Sequence, residues 1–173
     1  MMPQTDYNTL QRLFRSADRD GNGRIDAFEL QNALSNGLQI PFNLNTVNMM
    51  IKMFDRDFSG TIEFIEFTGL FRYVEQWRQC FMRFDQDCSG FIDARELRTA
   101  LRCFGYNLSD MFLEQFLRRF DRTHRRQMAF DDFIYACACL QILTNEFRQH
   151  DRQQCGRAQM SFEQFLLAAF SII

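Results

Sequence analysis

Three windows of twelve residues hold acids at spacings that could do chemistry: DRDGNGRIDAFE (18–29), DRDFSGTIEFIE (55–66) and DQDCSGFIDARE (85–96). Each carries an acid or a short oxygen-bearing side chain at positions 1, 3 and 5, Gly at 6 and Glu at 12. Short side chains at alternate positions of a tight loop can converge on one point, and Gly at position 6 permits the sharp turn. Position 7 offers only its backbone carbonyl, so its side chain is free to vary. Position 9 often acts through a water, and Glu at position 12 reaches in with both oxygens. An all-oxygen shell of this kind suits a hard cation that takes six to eight ligands at about 2.3–2.6 Å, which is calcium. The first window supplies Asp18, Asp20, Asn22, the Arg24 carbonyl, Asp26 and Glu29. The second supplies Asp55, Asp57, Ser59, the Thr61 carbonyl, Glu63 and Glu66, and the third Asp85, Asp87, Ser89, the Phe91 carbonyl, Asp93 and Glu96. About three calcium ions per chain are expected.

Two further windows share the frame without the ligands. DRTHRRQMAFDD (121–132) has Arg125 at position 5, Arg126 in place of the glycine and Asp132 at position 12. A cation there would meet a cation, so this loop is expected to be empty. DRQQCGRAQMSF (151–162) keeps Asp151 and Gly156 but has Gln153, Cys155 and Phe162 at positions 3, 5 and 12, with Glu163 one residue beyond the pattern. It too is expected to be empty. Five copies of one loop make this a repeat protein built from EF-hand units.

Helices must flank such loops. Between Glu66 and Asp85 the apolar residues Phe67, Phe71, Val74, Trp77, Phe81 and Phe84 recur at intervals of three and four. Between Asp132 and Asp151 the residues Phe133, Cys137, Leu140, Leu143 and Phe147 do the same. Each stretch reads as one continuous helix shared by two loops, about 27–30 Å long, with Gly69 the one potential breaker. The two longer connections hold breaks: Gly37 and Pro41 in the first, Gly105 and a cap at Ser109 in the second. The expected fold is all-α: five EF-hand units, eight helices, two of them long and shared, and short β pairings of Ile25 with Ile62 and Ile92 with Met128. One domain over residues 1–173 is expected.

That pairing leaves the fifth loop, with Ala158, without a partner in its own chain. It is expected to pair with a copy in a second chain across a twofold. A helix capped by Ser161, with Gln164 three residues on, would present the apolar run FLLAAFSII (165–173). The expected interface holds Ala158, Phe162, Phe165, Leu166, Ala169 and Phe170.

Composition fits this picture. The chain has 173 residues, 46% hydrophobic, with 21 Phe against 2 Pro and 8 Gly, which argues for a helix-rich globular protein. Its six cysteines form no CxxC pair and read as reduced thiols. The charged N-terminus lacks the apolar stretch of a signal peptide, and the nine-residue C-terminal run is too short to span a bilayer. Two His, neither beside a plausible nucleophile, offer no catalytic site, so no enzyme is expected. Net charge is −2, which three divalent ions would reverse. RRFDRTHRR (118–126) is the densest basic patch, read as a solvated face or a contact for anionic membranes. Met49, Met50 and Met53 cluster on the third helix and suit either core packing or an adaptable groove.

The stretches ALSNG (33–37), PFN (41–43), MFDR (53–56), EFTG (66–69), FGYNLSD (104–110), FDR (120–122), QMAFDDFI (127–134) and FSII (170–173) resemble the penta-EF-hand family, in particular its apoptosis-linked and peflin branches. The resemblance covers nearly the whole chain. It implies a cytoplasmic calcium sensor and adaptor that dimerises, with itself or a relative, through the fifth EF-hand. On binding calcium such a protein exposes an apolar pocket for partner proteins, often at Pro-rich segments, in membrane traffic or repair. That pocket is expected near the long shared helix and FGYNLSD. A calcium buffer and the regulatory subunit of a calcium-dependent protease are the alternatives. No nucleic-acid partner is implied.

Overall fold

The computed structural model describes residues 6–35, 37 and 40–170. Eight helices run through them: α1 (Tyr7–Ala17), α2 (Ala27–Ala33), α3 (Leu44–Phe54), α4 (Phe64–Phe84), α5 (Ala94–Cys103), α6 (Asp110–Phe120), α7 (Phe130–His150) and α8 (Phe162–Phe170). Two short strands, β1 (Ile92–Asp93) and β2 (Gln127–Met128), pair antiparallel with Ile92 opposite Met128. Ile25 and Ile62 form the equivalent bridge, through reciprocal amide–carbonyl bonds of 2.9 Å. All four of these apolar residues are fully buried, so each pairing is a core contact as well as a hydrogen-bonded one.

The chain divides into two compact units, Met1–Phe133 and Ile134–Ile173, with the division inside α7. In the first unit, α4 is a rod of 21 residues, about 30 Å at 1.5 Å per residue. Its buried side is Phe67, Leu70, Val74, Phe81 and Phe84, the three-and-four spacing of an amphipathic helix. Rings cluster around it edge to face: Phe14 on Phe67, Phe81 on Phe130, and Phe81 and Trp77 on Phe133. Gly69 does not break the rod. It lies inside α4, where a Cβ would come within 3.2 Å of the Phe54 ring, so its lack of a side chain lets α3 pack close. Met50 is in the core, whereas Met53 is half exposed.

The breaks fall near the expected places, with one shift. After α5, Gly105 takes φ +88° and the Tyr106 amide bonds back to the Leu101 carbonyl at 2.8 Å, while Gly105 N–H bonds to Arg102. This is a Schellman stop. Ser109 caps α6 through the Phe112 amide. The first break comes earlier than Gly37: α2 ends at Ala33, and Leu34 is already extended. The Ser35 hydroxyl takes the Gly37 amide, a local bond that competes with helix continuation.

In the second unit the latter part of α7 leads into the fifth loop and α8. The Ser161 hydroxyl accepts from the Gln164 amide and the Gln164 side chain accepts from the Ser161 amide, a reciprocal capping box. None of the residues of α8 is fully buried. Residues 171–173, the end of the apolar C-terminal run, lie outside the described residues. Among the described residues no helix is long and apolar enough to cross a membrane.

Candidate calcium sites

Each of the first three loops lies between the end of one helix and the capped start of the next, and the same bonds shape all three. The carboxylate at position 1 accepts the amides of positions 5 and 6: Asp18 from Asn22 and Gly23 (3.1 and 3.0 Å), Asp55 from Ser59 and Gly60 (3.1 and 2.8 Å), Asp85 from Ser89 and Gly90 (2.9 and 3.0 Å). The Glu at position 12 accepts the position 2 amide on one oxygen and the position 9 amide on the other. Glu29 takes Arg19 and Asp26 (2.9 and 3.0 Å), Glu66 takes Arg56 and Glu63 (2.7 and 2.9 Å), and Glu96 takes Gln86 and Asp93 (2.9 and 3.1 Å). Each carboxylate oxygen takes one backbone amide in this way, which leaves a second lone pair that a metal can use.

These bonds aim the acids inward. In each triad, Asp18–Asp20–Glu29, Asp55–Asp57–Glu66 and Asp85–Asp87–Glu96, one oxygen from each residue lies within 4.8 Å of the others. Two oxygens on opposite sides of a calcium ion at about 2.4 Å would be separated by about that much, so each triad fits one calcium shell. In loop three the Ser89 hydroxyl lies 3.2 Å from the Phe91 carbonyl and 3.4 Å from Asp85, drawing positions 1, 5 and 7 together. The Ser59 hydroxyl sits 3.3 Å from the Thr61 carbonyl in the same way. The hydroxyls of Ser59 and Ser89 lead the interactions that hold the Asp57 and Asp87 carboxyls below the ordinary range, so both stay ionised. At position 9, Asp26 and Asp93 cap the outgoing helices through the amides of Phe28 and Glu29 and of Arg95 and Glu96, each with one oxygen.

The fourth and fifth loops keep the backbone and lose the ligands. Asp121 accepts from the amides of Thr123 and Arg126, and Asp151 from those of Cys155 and Gly156. Burial alone would raise the Asp121 carboxyl, but the Thr123 hydroxyl and the amides of Arg126, Thr123 and Gln127 outweigh it and hold the group low. Asp132, at position 12, is turned to another use. It accepts from Arg122 Nε and from the Asn43 side-chain amide, each at 2.7 Å, while Asp131 pairs with the other end of the Arg122 guanidinium and takes the Asn43 backbone amide. Arg122 is therefore committed to buried carboxylates and does not belong to a solvated basic face. Burial, reinforced by the charge of Asp131, pushes the Asp132 carboxyl above its usual range despite these donors.

Two features escaped the twelve-residue pattern. Position 4 has a left-handed backbone in every loop: Gly21, Phe58, Cys88, His124 and Gln154 have φ between 51° and 72°. Only loop one uses glycine there, so residue type gives almost no signal. Asn43 stood out in the sequence only as the end of the PFN stretch, with no sign of its partners.

A family model for an EF-hand domain pair matches residues 7–72 and 74–138. A sorcin from Schistosoma japonicum is 54% identical over 97% of this chain and 98% of its own length. The chain belongs to the EF-hand family, among the penta-EF-hand proteins. A zebrafish (Danio rerio) peflin is 38% identical over 91% of the chain, which spans only 59% of that peflin's length. A solved structure of a homolog of programmed cell death 6 protein from Leishmania major Friedlin superposes with a TM-score of 0.84 and 34% identity, over 95% of this chain and 94% of that one. This penta-EF-hand chain is thus a calcium-binding protein of the sorcin and peflin type and not an enzyme.

Proposed function

We propose that this protein is a calcium sensor and adaptor that takes about three calcium ions, in loops one to three. The observation that carries the reading is the repeated construction of three acid triads by backbone amides. Such preorganisation leaves little rearrangement to be made on ligation. Calcium would supply charge neutralisation and a rigid link between ligands. The chain's own residues turn that link into motion: Glu29, Glu66 and Glu96 sit in the first turns of α2, α4 and α5, so ligation at position 12 couples loop and outgoing helix. Because α4 begins at loop two and ends at Asp85 of loop three, two sites act on one rod.

This coupling opens an apolar surface for extended, Pro-containing segments of partners in cytoplasmic membrane traffic or repair. Exposed Phe104, Met111 and Phe112 around FGYNLSD support it. The five repeats work as one domain over residues 1–173, and the fifth mediates a homodimer or a heterodimer with a related protein. The exposed Phe162, Phe165 and Phe170 of α8, beside half-buried Ala158, Leu166 and Ala169, support that role. Calorimetry should find about three ions per chain. An apolar dye should bind more strongly in calcium than in chelator. Three ions with no change in dye binding would mark a buffer instead, and one ion or none would remove the three-site reading.

A further inference from the structure

We infer that Arg24, a residue of loop one, sets the calcium affinity of loop two by competing for its ligand carboxylates. The inference rests on the reading of loop two as a calcium site. Arg24 occupies position 7 of its own loop, where only the backbone carbonyl is a ligand. Its side chain crosses the Ile25–Ile62 bridge into the neighbouring loop. There Nη2 lies 2.6 Å from Glu63 and 3.6 Å from Asp57, and Nη1 lies 3.3 Å from the Thr61 hydroxyl. Glu63 and Asp57 hold positions 9 and 3 of loop two.

The three intact loops have matched acid counts. Each carries four acids: Asp18, Asp20, Asp26 and Glu29 in the first, with equivalents in the other two. Arg24 breaks that equality. Among the ion pairs of the described residues it is the only cation on a triad acid. Loop three has no such neighbour, since the facing loop four offers Gln127 at position 7. For Asp57 and Glu63 to serve a calcium ion, the guanidinium must leave or tolerate a divalent charge a few ångströms away. Both costs fall on loop two alone. Loop two should fill last, at calcium levels where loop three is already occupied. Arg24 also joins the two sites through one residue, since its carbonyl is the expected position 7 ligand of loop one and its guanidinium lies in loop two.

The test uses the full chain with loops one and three silenced by Glu29→Gln and Glu96→Gln, so that calorimetry reads loop two. Adding Arg24→Gln should tighten calcium binding roughly tenfold at low ionic strength, the effect of one unit charge close to a divalent ion in water-screened surroundings. The gain should shrink at high ionic strength. Arg24→Lys, which keeps the charge and loses the fork, should stay near the parent. Binding recovered by Arg24→Gln in a silent parent would support the inference most directly. Equal affinity with and without Arg24→Gln, or a gain indifferent to salt, would overturn the role of Arg24 and leave loop two standing as a site. Binding in neither protein would overturn the site and the role together.

Discussion

Phe58 shows how the loops are built at their tightest point. It sits at position 4 of loop two with φ +58° and is 92% exposed. A non-glycine residue in the left-handed region costs about 1–2 kcal/mol, and an exposed ring returns almost nothing. Phe58→Gly should therefore raise the stability of the calcium-free protein by about 1 kcal/mol, or roughly 2–4 °C in Tm, after glycine's own entropy is subtracted. A thermal melt in chelator checks this, and a lower Tm would mean that the ring makes contacts in solution. Acids do the opposite work. Asp121 is held low by its donors, so its contribution is full above the ordinary carboxylate range and is lost as pH falls through the depressed value. Asp121→Asn should flatten the loss of stability on acidification below about pH 4, read by denaturant melts across that range.

The start of α7 shows what becomes of an element when its metal ligands are lost. Asn43, the N-cap of α3, donates twice to the Asp131–Asp132 pair, and the Thr46 hydroxyl donates to the Asp131 carbonyl. Asp131 is 0% exposed. Arg122 completes the set as a built-in cation beside the two carboxylates. These bonds tie the α2–α3 connection to the fourth loop, which closes that loop without an ion. Asn43→Ala removes the side-chain donor and leaves Asp132 with less compensation, at a cost of about 1–3 kcal/mol. The pH dependence has a definite sign. The Asp132 carboxyl is already raised, so the folded chain favours its protonated form. That preference helps below the ordinary carboxylate range and is lost as pH rises through the folded value. Losing a donor raises it further, so Asn43→Ala should destabilise more at pH 7 than at pH 4 in urea melts.

For the molecule as a whole, the odd repeat is the feature to test. Loops one with two, and three with four, pair through Ile25–Ile62 and Ile92–Met128. Loop five has the same backbone but no bridge among the described residues, and α8 shows Phe162 and Phe165 at 75% and 55% exposure. Covering several hundred Å² of such surface at about 25 cal/mol per Å² would favour association before its entropic cost. The proposed dimer should persist in chelator, because loop five lacks the acids that would make calcium part of the contact. Light scattering of Phe162→Glu/Phe165→Glu should give half the wild-type mass, with calcium binding at loops one to three retained. A wild-type monomer in both calcium and chelator would remove the pairing role.

The three acid triads, the long helices and the strand partners could all be read from the order of residues, because they follow from local rules. Alternate positions in a twelve-residue loop face one centre, apolar residues three and four apart face one side of a helix, and position 8 of one loop seeks position 8 of the next. Asn43, Arg24 and Gly69 could not be read that way. Asn43 meets Asp131 and Asp132 across almost ninety positions, Arg24 meets Glu63 across 39, and Gly69 matters because the Phe54 ring arrives over it. Arg122 looked like one more member of a basic run until folding placed two desolvated carboxylates beside it. Such roles depend on which groups are left facing each other once the core has closed. They come from long-range packing, which makes a partner compulsory where charge is buried, as at Asp131 and Asp132, and sets half-exposed Arg24 beside the acids of the next loop; no local spacing encodes them.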